Sequence, residues 1–210
     1  MVLSIPGGEF LTGSLDVISQ SLTIPVLVIL LVIVIITIIT LGGAISEYTS
    51  RKKVPVGVIR DLIYDINASQ SVDELKSVIS NADIPKSQKK VLTEIAYSES
   101  LGDSSREALA RKLFEFEEEK TIESLRKTDI ITRLGPTIGL MGTLIPMGPG
   151  LAALGAGDIN TLASSLTVAF NTTIVGIGSS ALCYFIGKLR SSWYDRYLSD
   201  LDALIDAVLD

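Results

Sequence analysis

Apolar runs bracket a charged middle in this chain. Residues 24–45 read IPVLVILLVIVIITIITLGGAI without one Asp, Glu, Lys or Arg, and about twenty apolar residues at helical rise cross a bilayer core. Two further uncharged runs, residues 134–157 and 159–187, are separated only by Asp158. They predict a second and a third span joined by a very short turn. Asp158 and Asn160 stand where an N-cap would satisfy the free amides of the third helix. Unlike the first run, these two are studded with Gly, Ser, Thr and Pro. Lipid alone would favour Leu, Ile and Val, whereas small residues let helix backbones approach and hydroxyls line a polar path.

Between the first and second spans, charged residues cluster and apolar ones recur at three and four positions, which predicts helices. Ser71 with Glu74 and Ser104 with Glu107 each fit a capping box, placing helix starts near Val72 and Ser105. From Ser105 the pattern runs through Leu109, Leu113, Phe116, Ile122 and Leu125 into Ile130 and Ile131 without Gly or Pro. This helix should therefore continue into the second span as a rigid stalk. Beyond Lys188, Leu198, Leu201, Leu204, Ile205 and Val208 oppose Asp195, Asp202 and Asp206, the pattern of an amphipathic helix packing on the stalk or on another subunit.

Composition narrows the class. Of 210 residues, 47% are hydrophobic and only 20% charged, which fits a membrane protein with one soluble insert. A net charge of -6 without any basic, aromatic-interleaved block argues against nucleic acid. Arg51, Lys52, Lys53, Arg126, Lys127, Arg133, Lys188 and Arg190 flank the spans on one side, whereas residues 1–23 and the Asp158 turn hold no basic residue. The positive-inside tendency puts the N-terminus outside and the middle and C-terminus in the cytoplasm. A leader peptide is disfavoured by that unbasic start and by the length of the first run. The expected organisation is an extracytoplasmic segment 1–23, a first span 24–45, a cytoplasmic helical domain 46–132, a two-helix membrane hairpin 133–188 and a cytoplasmic tail 189–210.

Candidate chemistry is sparse. The chain has no His, and its one Cys, Cys183, lies in an apolar run where a thiol packs as a small hydrophobe. The acidic cluster Glu115, Glu117, Glu118 and Glu119 alternates with Lys112 and Lys120 and reads as a solvated face, so neither a metal nor a cofactor is expected. Gly135, Gly139, Gly142, Pro146 and Gly150 on the second span, and Ser165, Ala169, Thr172, Gly176, Ser180 and Cys183 on the third, repeat at three- and four-residue spacing, as helix packing requires. Thr143 and Thr173 lie beside these stripes. Such hydroxyls either bond a backbone carbonyl one turn earlier or, with Asn171 and Thr172, form a polar lining, since an unpaired buried polar group costs about 1 to 3 kcal/mol. No Asp, Glu, Lys, Arg or His lies inside any span. A proton or ion pathway needs one, so either the chain moves no ions or a second protein contributes the titratable group.

GPTIGLMGTL at residues 135–144 and AFNTTIVGI at residues 169–177, within this order of spans, resemble the MotA/TolQ/ExbB proton channel family. The resemblance implies an all-α, three-span membrane protein with a cytoplasmic helical domain, oligomerising as a homopentamer around a central lumen in the inner membrane. That lumen would enclose the single helices of an ExbD-, TolR- or MotB-like partner, whose intramembrane Asp carries the proton. It further implies that Thr143 and Thr173 are the family's two lumenal threonines. The chain departs from the pattern at Val168, where ExbB-like members often have Glu, and at Pro146 and Pro149, which should bend the second span and widen the lumen. The competing reading is a passive scaffold whose small residues serve only packing. A secondary transporter lacks an inverted repeat and a charged binding residue here, and an enzyme lacks a nucleophile–base pair or metal cluster.

Overall fold

The computed structural model describes residues 8–51 and 54–209. Lys52, Lys53 and the first seven residues lie outside that set. The described residues are helical and hold no strand. Seven α-helices occur among them: α1 (Gly8–Ser21), α2 (Thr23–Ser50), α3 (Val56–Ala68), α4 (Val72–Asn81), α5 (Lys86–Ala96), α6 (Asp103–Gly155) and α7 (Ile159–Leu209). Three stretches are long and apolar enough to cross a membrane: α1 with α2, α6, and α7.

Sequence patterning anticipated no helix in residues 1–23, yet α1 forms there, with Leu11, Leu15 and Ile18 at helical spacing and exposed. It is separated from α2 only at Leu22, whose N–H bonds Ile18 O and Ser19 O at 3.2 and 3.1 Å. Pro25 explains the break, because it has no N–H for Ser21 O and its ring crowds that carbonyl.

Residues 8–44 and 127–187 form one compact unit. In it the buried positions of α2, Val26, Leu30, Ile33 and Thr37, fall on one stripe. Val26 and Leu30 meet Ile145 with Ile138, Met141 and Val175, while Ile33 meets Ile131 and Cys183. The remaining face of α2 is exposed aliphatic surface suited to lipid. The α6–α7 turn is a Schellman motif: Gly157 takes φ +83°, its N–H bonds Leu154 O at 3.0 Å, and Asp158 N–H bonds Ala153 O at 2.9 Å. Asp158 then caps α7, its carboxylate accepting from the N–H and hydroxyl of Thr161 at 3.1 and 2.5 Å. Those bonds hold its pKa below the usual carboxylate value. Asn160 falls inside the first turn of α7 rather than at the cap.

Residues 45–126 and 188–209, without 52–53, form the second unit. Its core gathers Ile59, Leu62 and Ile66 of α3, Ile79 of α4, Leu92 and Ile95 of α5 and Ala110 of α6 around Leu201, Leu204, Ile205 and Val208 of α7. The amphipathic tail is thus the last part of α7, burying those apolar residues and exposing Asp195, Asp202 and Asp206. At α4, Ser71 Oγ accepts from Glu74 N–H at 3.3 Å, but the Glu74 carboxylate reaches Gln70 N–H at 3.1 Å instead of that of Ser71. The second proposed capping box does not start its helix. α6 begins at Asp103, with Gly102 O accepting from the N–H groups of Ser105 and Arg106, and Glu107 bonds Arg111 at 3.0 Å. Glu117 also departs from the solvated acidic face. It is 7% exposed, because it turns toward α7, where it accepts from the Tyr197 hydroxyl at 2.9 Å and pairs with Lys120.

Candidate functional site

Glycine backbone forms the contact between the membrane parts of α6 and α7. A Cβ added at Gly176 would stand 2.5 Å from Gly135 O and 2.8 Å from Gly139 Cα, and one at Gly142 would stand 2.6 Å from Thr172 Cβ. Helices this close have no room for a larger side chain. Pro136, Pro146 and Pro149 all lie inside α6 without ending it. Pro136 cannot donate to Thr132 O, and the Ser180 hydroxyl of α7 bonds that carbonyl instead at 2.7 Å. Pro146 and Pro149 likewise cannot donate to Gly142 O and Ile145 O, which places two weakened helical bonds beside Thr143.

The polar side chains divide between faces. Thr172 is 5% exposed, set against Gly142, and its hydroxyl donates to Ala169 O at 2.9 Å. Thr143 and Thr173 are half-buried, and each follows by one residue a member of that contact, Gly142 and Thr172. Met141 and Ile145 flank Thr143, and Val175 follows Thr173, at two-residue spacing, about 200° around the helix. Those three side chains belong to the α2 contact. Both threonines therefore turn away from α2 onto one side of the hairpin, where a Cβ on Gly139, one turn before Thr143, would lie 3.6 Å from Thr173 Cα. Asn171 is exposed and also two residues from Thr173, so it projects from the other side of α7.

Each hydroxyl has a backbone acceptor. Thr143 donates to Leu140 O at 2.6 Å and Thr173 to Ala169 O at 3.2 Å. A hydroxyl that donates in this way still offers oxygen lone pairs to an external donor. The facing pair thus presents acceptors, and no charge, to whatever lies against it. Glu47 sits beyond the apolar run of α2, bonded to the Tyr194 hydroxyl and paired with Arg190 at 2.8 Å. Among the described residues no cluster of side chains fit for a metal is formed.

These features define a membrane protein whose uncharged helical hairpin carries two threonines on one side. A model of the MotA/TolQ/ExbB proton channel family matches residues 77–203, more than half of the chain, and the chain belongs to that family. A search of curated proteins gave no match.

Sequence reasoning missed two elements of this arrangement. The Ser180–Thr132 bond is signalled only by Pro136 standing four residues after Thr132. The opposed directions of Asn171 and Thr173 follow from helix geometry once the α6–α7 contact is known. Thr172 is buried where the small-residue stripe of α7 puts it, against Gly142.

Proposed function

We propose that this chain is the channel or stator subunit of a membrane motor driven by the proton-motive force. In this reading a homopentamer encloses the single transmembrane helices of an ExbD-, TolR- or MotB-like partner. The observation that carries it is the paired placement of Thr143 and Thr173 on the side of an uncharged hairpin away from α2. The partner supplies the missing carboxyl group. When protonated, that carboxyl donates to a threonine oxygen whose own hydrogen is held by Leu140 O or Ala169 O. When ionised, it draws the hydroxyl hydrogens away from those carbonyls. The same two groups thus accommodate both protonation states without a charge of their own. Thr172 supports them from behind, while Asn171 serves another face of the subunit.

The N-terminus lies outside and the charged unit in the cytoplasm, a reading supported by the basic residues from Arg51 to Arg190 on one side of the spans. One proton crossing 100 mV releases about 2.3 kcal/mol, enough for small rotational steps. The self-bonded hydroxyls are also what a passive scaffold would show, and mutation separates the two readings. Thr143→Val and Thr173→Val should assemble with the partner yet abolish proton-dependent work. Normal activity in both variants would remove the site and leave the scaffold.

A further inference from the structure

A cavity of about 630 Å³ lies wholly within the charged helical unit, apart from the threonine pair. Its volume is that of a small-molecule site, about 300–1,000 Å³. Several of its polar groups are already satisfied: Tyr197 bonds Ser87 and Glu117, Glu117 pairs with Lys120, and Glu47 pairs with Arg190. Four are not. Gln88 is 1% exposed and donates through Nε2 to Tyr197 O at 3.1 Å, but its buried Oε1 has no partner. Asp200 feels the charges of Arg196 and Arg51, but neither Asp200 nor Arg196 forms a hydrogen bond with a described residue. Arg51 spends one nitrogen on Trp193 O at 2.7 Å and lies 5.3 Å from the indole centroid, which leaves the rest of its donor fork open.

The open groups are of two kinds. Gln88 Oε1 and the Asp200 carboxylate need a hydrogen-bond donor, preferably a cationic one at Asp200. Arg51 and Arg196 need an anion, and guanidinium forks match phosphate oxygens. Gln88 is fully buried while Arg196 is exposed, so the acceptor end is the floor and Arg196 belongs to the rim. Desolvation raises the Asp200 pKa against the opposing pull of Arg196 and Arg51, and lowers that of Arg51 against the opposing pull of Glu47 and Asp200.

We propose that this cavity binds a zwitterionic phosphate–ammonium group, the headgroup of an aminophospholipid, with the ammonium on Asp200 and the phosphate on Arg51 and Arg196. A lipid is the source because Glu47 and Tyr48, on the last turn of α2 directly after its apolar run, form part of the wall. A quaternary ammonium has no N–H to donate to the Asp200 carboxylate, and a glycerol headgroup has no cation for it. The site therefore discriminates among phospholipids, and it stands whether or not the chain conducts protons.

Trp193, the chain's single tryptophan, lines the cavity and reports its occupancy. The detergent-solubilised full-length protein would be titrated with dihexanoyl phosphatidylethanolamine, phosphatidylcholine and phosphatidylglycerol, and with free phosphoethanolamine, following Trp193 emission. Phosphatidylethanolamine should bind about tenfold tighter than the other two lipids. Arg196→Gln, at an exposed position, and Asp200→Asn should each weaken it about tenfold, and Asp200→Asn should leave the phosphatidylglycerol response unchanged. Free phosphoethanolamine binding as tightly as the lipid would keep the site and assign it to a soluble ligand. Equal responses to the three lipids, or unchanged phosphatidylethanolamine binding in both variants, would overturn the proposal.

Discussion

Replacing Gly176 by alanine puts a methyl group 2.5 Å from Gly135 O and 2.8 Å from Gly139 Cα, both backbone atoms that cannot rotate aside. Ordinary contact is about 3.5 Å, so α6 and α7 must separate locally by roughly 1 Å. Overpacking of this size costs about 1–3 kcal/mol. Alanine also gains about 1 kcal/mol of helix propensity over glycine, which would hide part of that cost. Gly178, two residues along α7, provides the control, since a Cβ there meets nothing within 4 Å. Subtracting Gly178→Ala from Gly176→Ala cancels the propensity gain and leaves the clash alone. Reversible unfolding in mixed micelles by a denaturing detergent, followed by far-UV circular dichroism, should place Gly176→Ala about 1–3 kcal/mol below Gly178→Ala. Equal stability of the two variants would refute the close glycine contact and, with it, the threonine geometry built on it.

Three further outcomes follow from other contacts. Ser180→Ala removes the donor to Thr132 O, which Pro136 cannot replace, and should cost about 1–3 kcal/mol in the same unfolding assay. Asp200 has a folded-state pKa raised by burial, so its stabilising protonated form is present below the ordinary carboxylate value of 3.8 and is lost as pH rises through the raised one. Asp200→Asn should therefore raise the melting temperature of the lipid-free protein at neutral pH, and the gain should shrink on acidification; a gain independent of pH would contradict the assignment. Native mass spectrometry of the chain co-expressed with a single-span, Asp-bearing partner should give five copies holding two partner chains, and a monomer that ignores the partner would defeat the motor reading.

Features written in local periodicity are legible in the amino-acid sequence alone. The runs behind α2, α6 and α7, the Ser71 cap and the apolar stripe from Leu198 to Val208 need only spacing. The stripe of α1 is equally regular, but its polar residues and short length conceal it beside the long apolar run that follows. What spacing does not supply is partners distant in sequence. Glu117 looks like its neighbours until Tyr197 is opposite it, eighty residues later. Gln88 reads as an ordinary surface residue of an amphipathic helix, yet α7 buries it. Stripe spacing separates Thr172 from Thr173, but that Thr172 seats against Gly142 is visible only once α6 and α7 are packed together.

The bond from Ser180 to Thr132 fixes how far α7 can slide along α6. Thr172 seated at Gly142 and Ser165 at Gly150 resist the same movement, and a shift of one residue displaces a side chain by about 1.5 Å and rotates it by about 100°. Either change takes the hydroxyl off the carbonyl that Pro136 leaves bare. A piston stroke of one helix against the other would therefore leave that acceptor without its donor. The hairpin holds together as a single piece, and in the proposed motor any stroke falls at its outer surfaces.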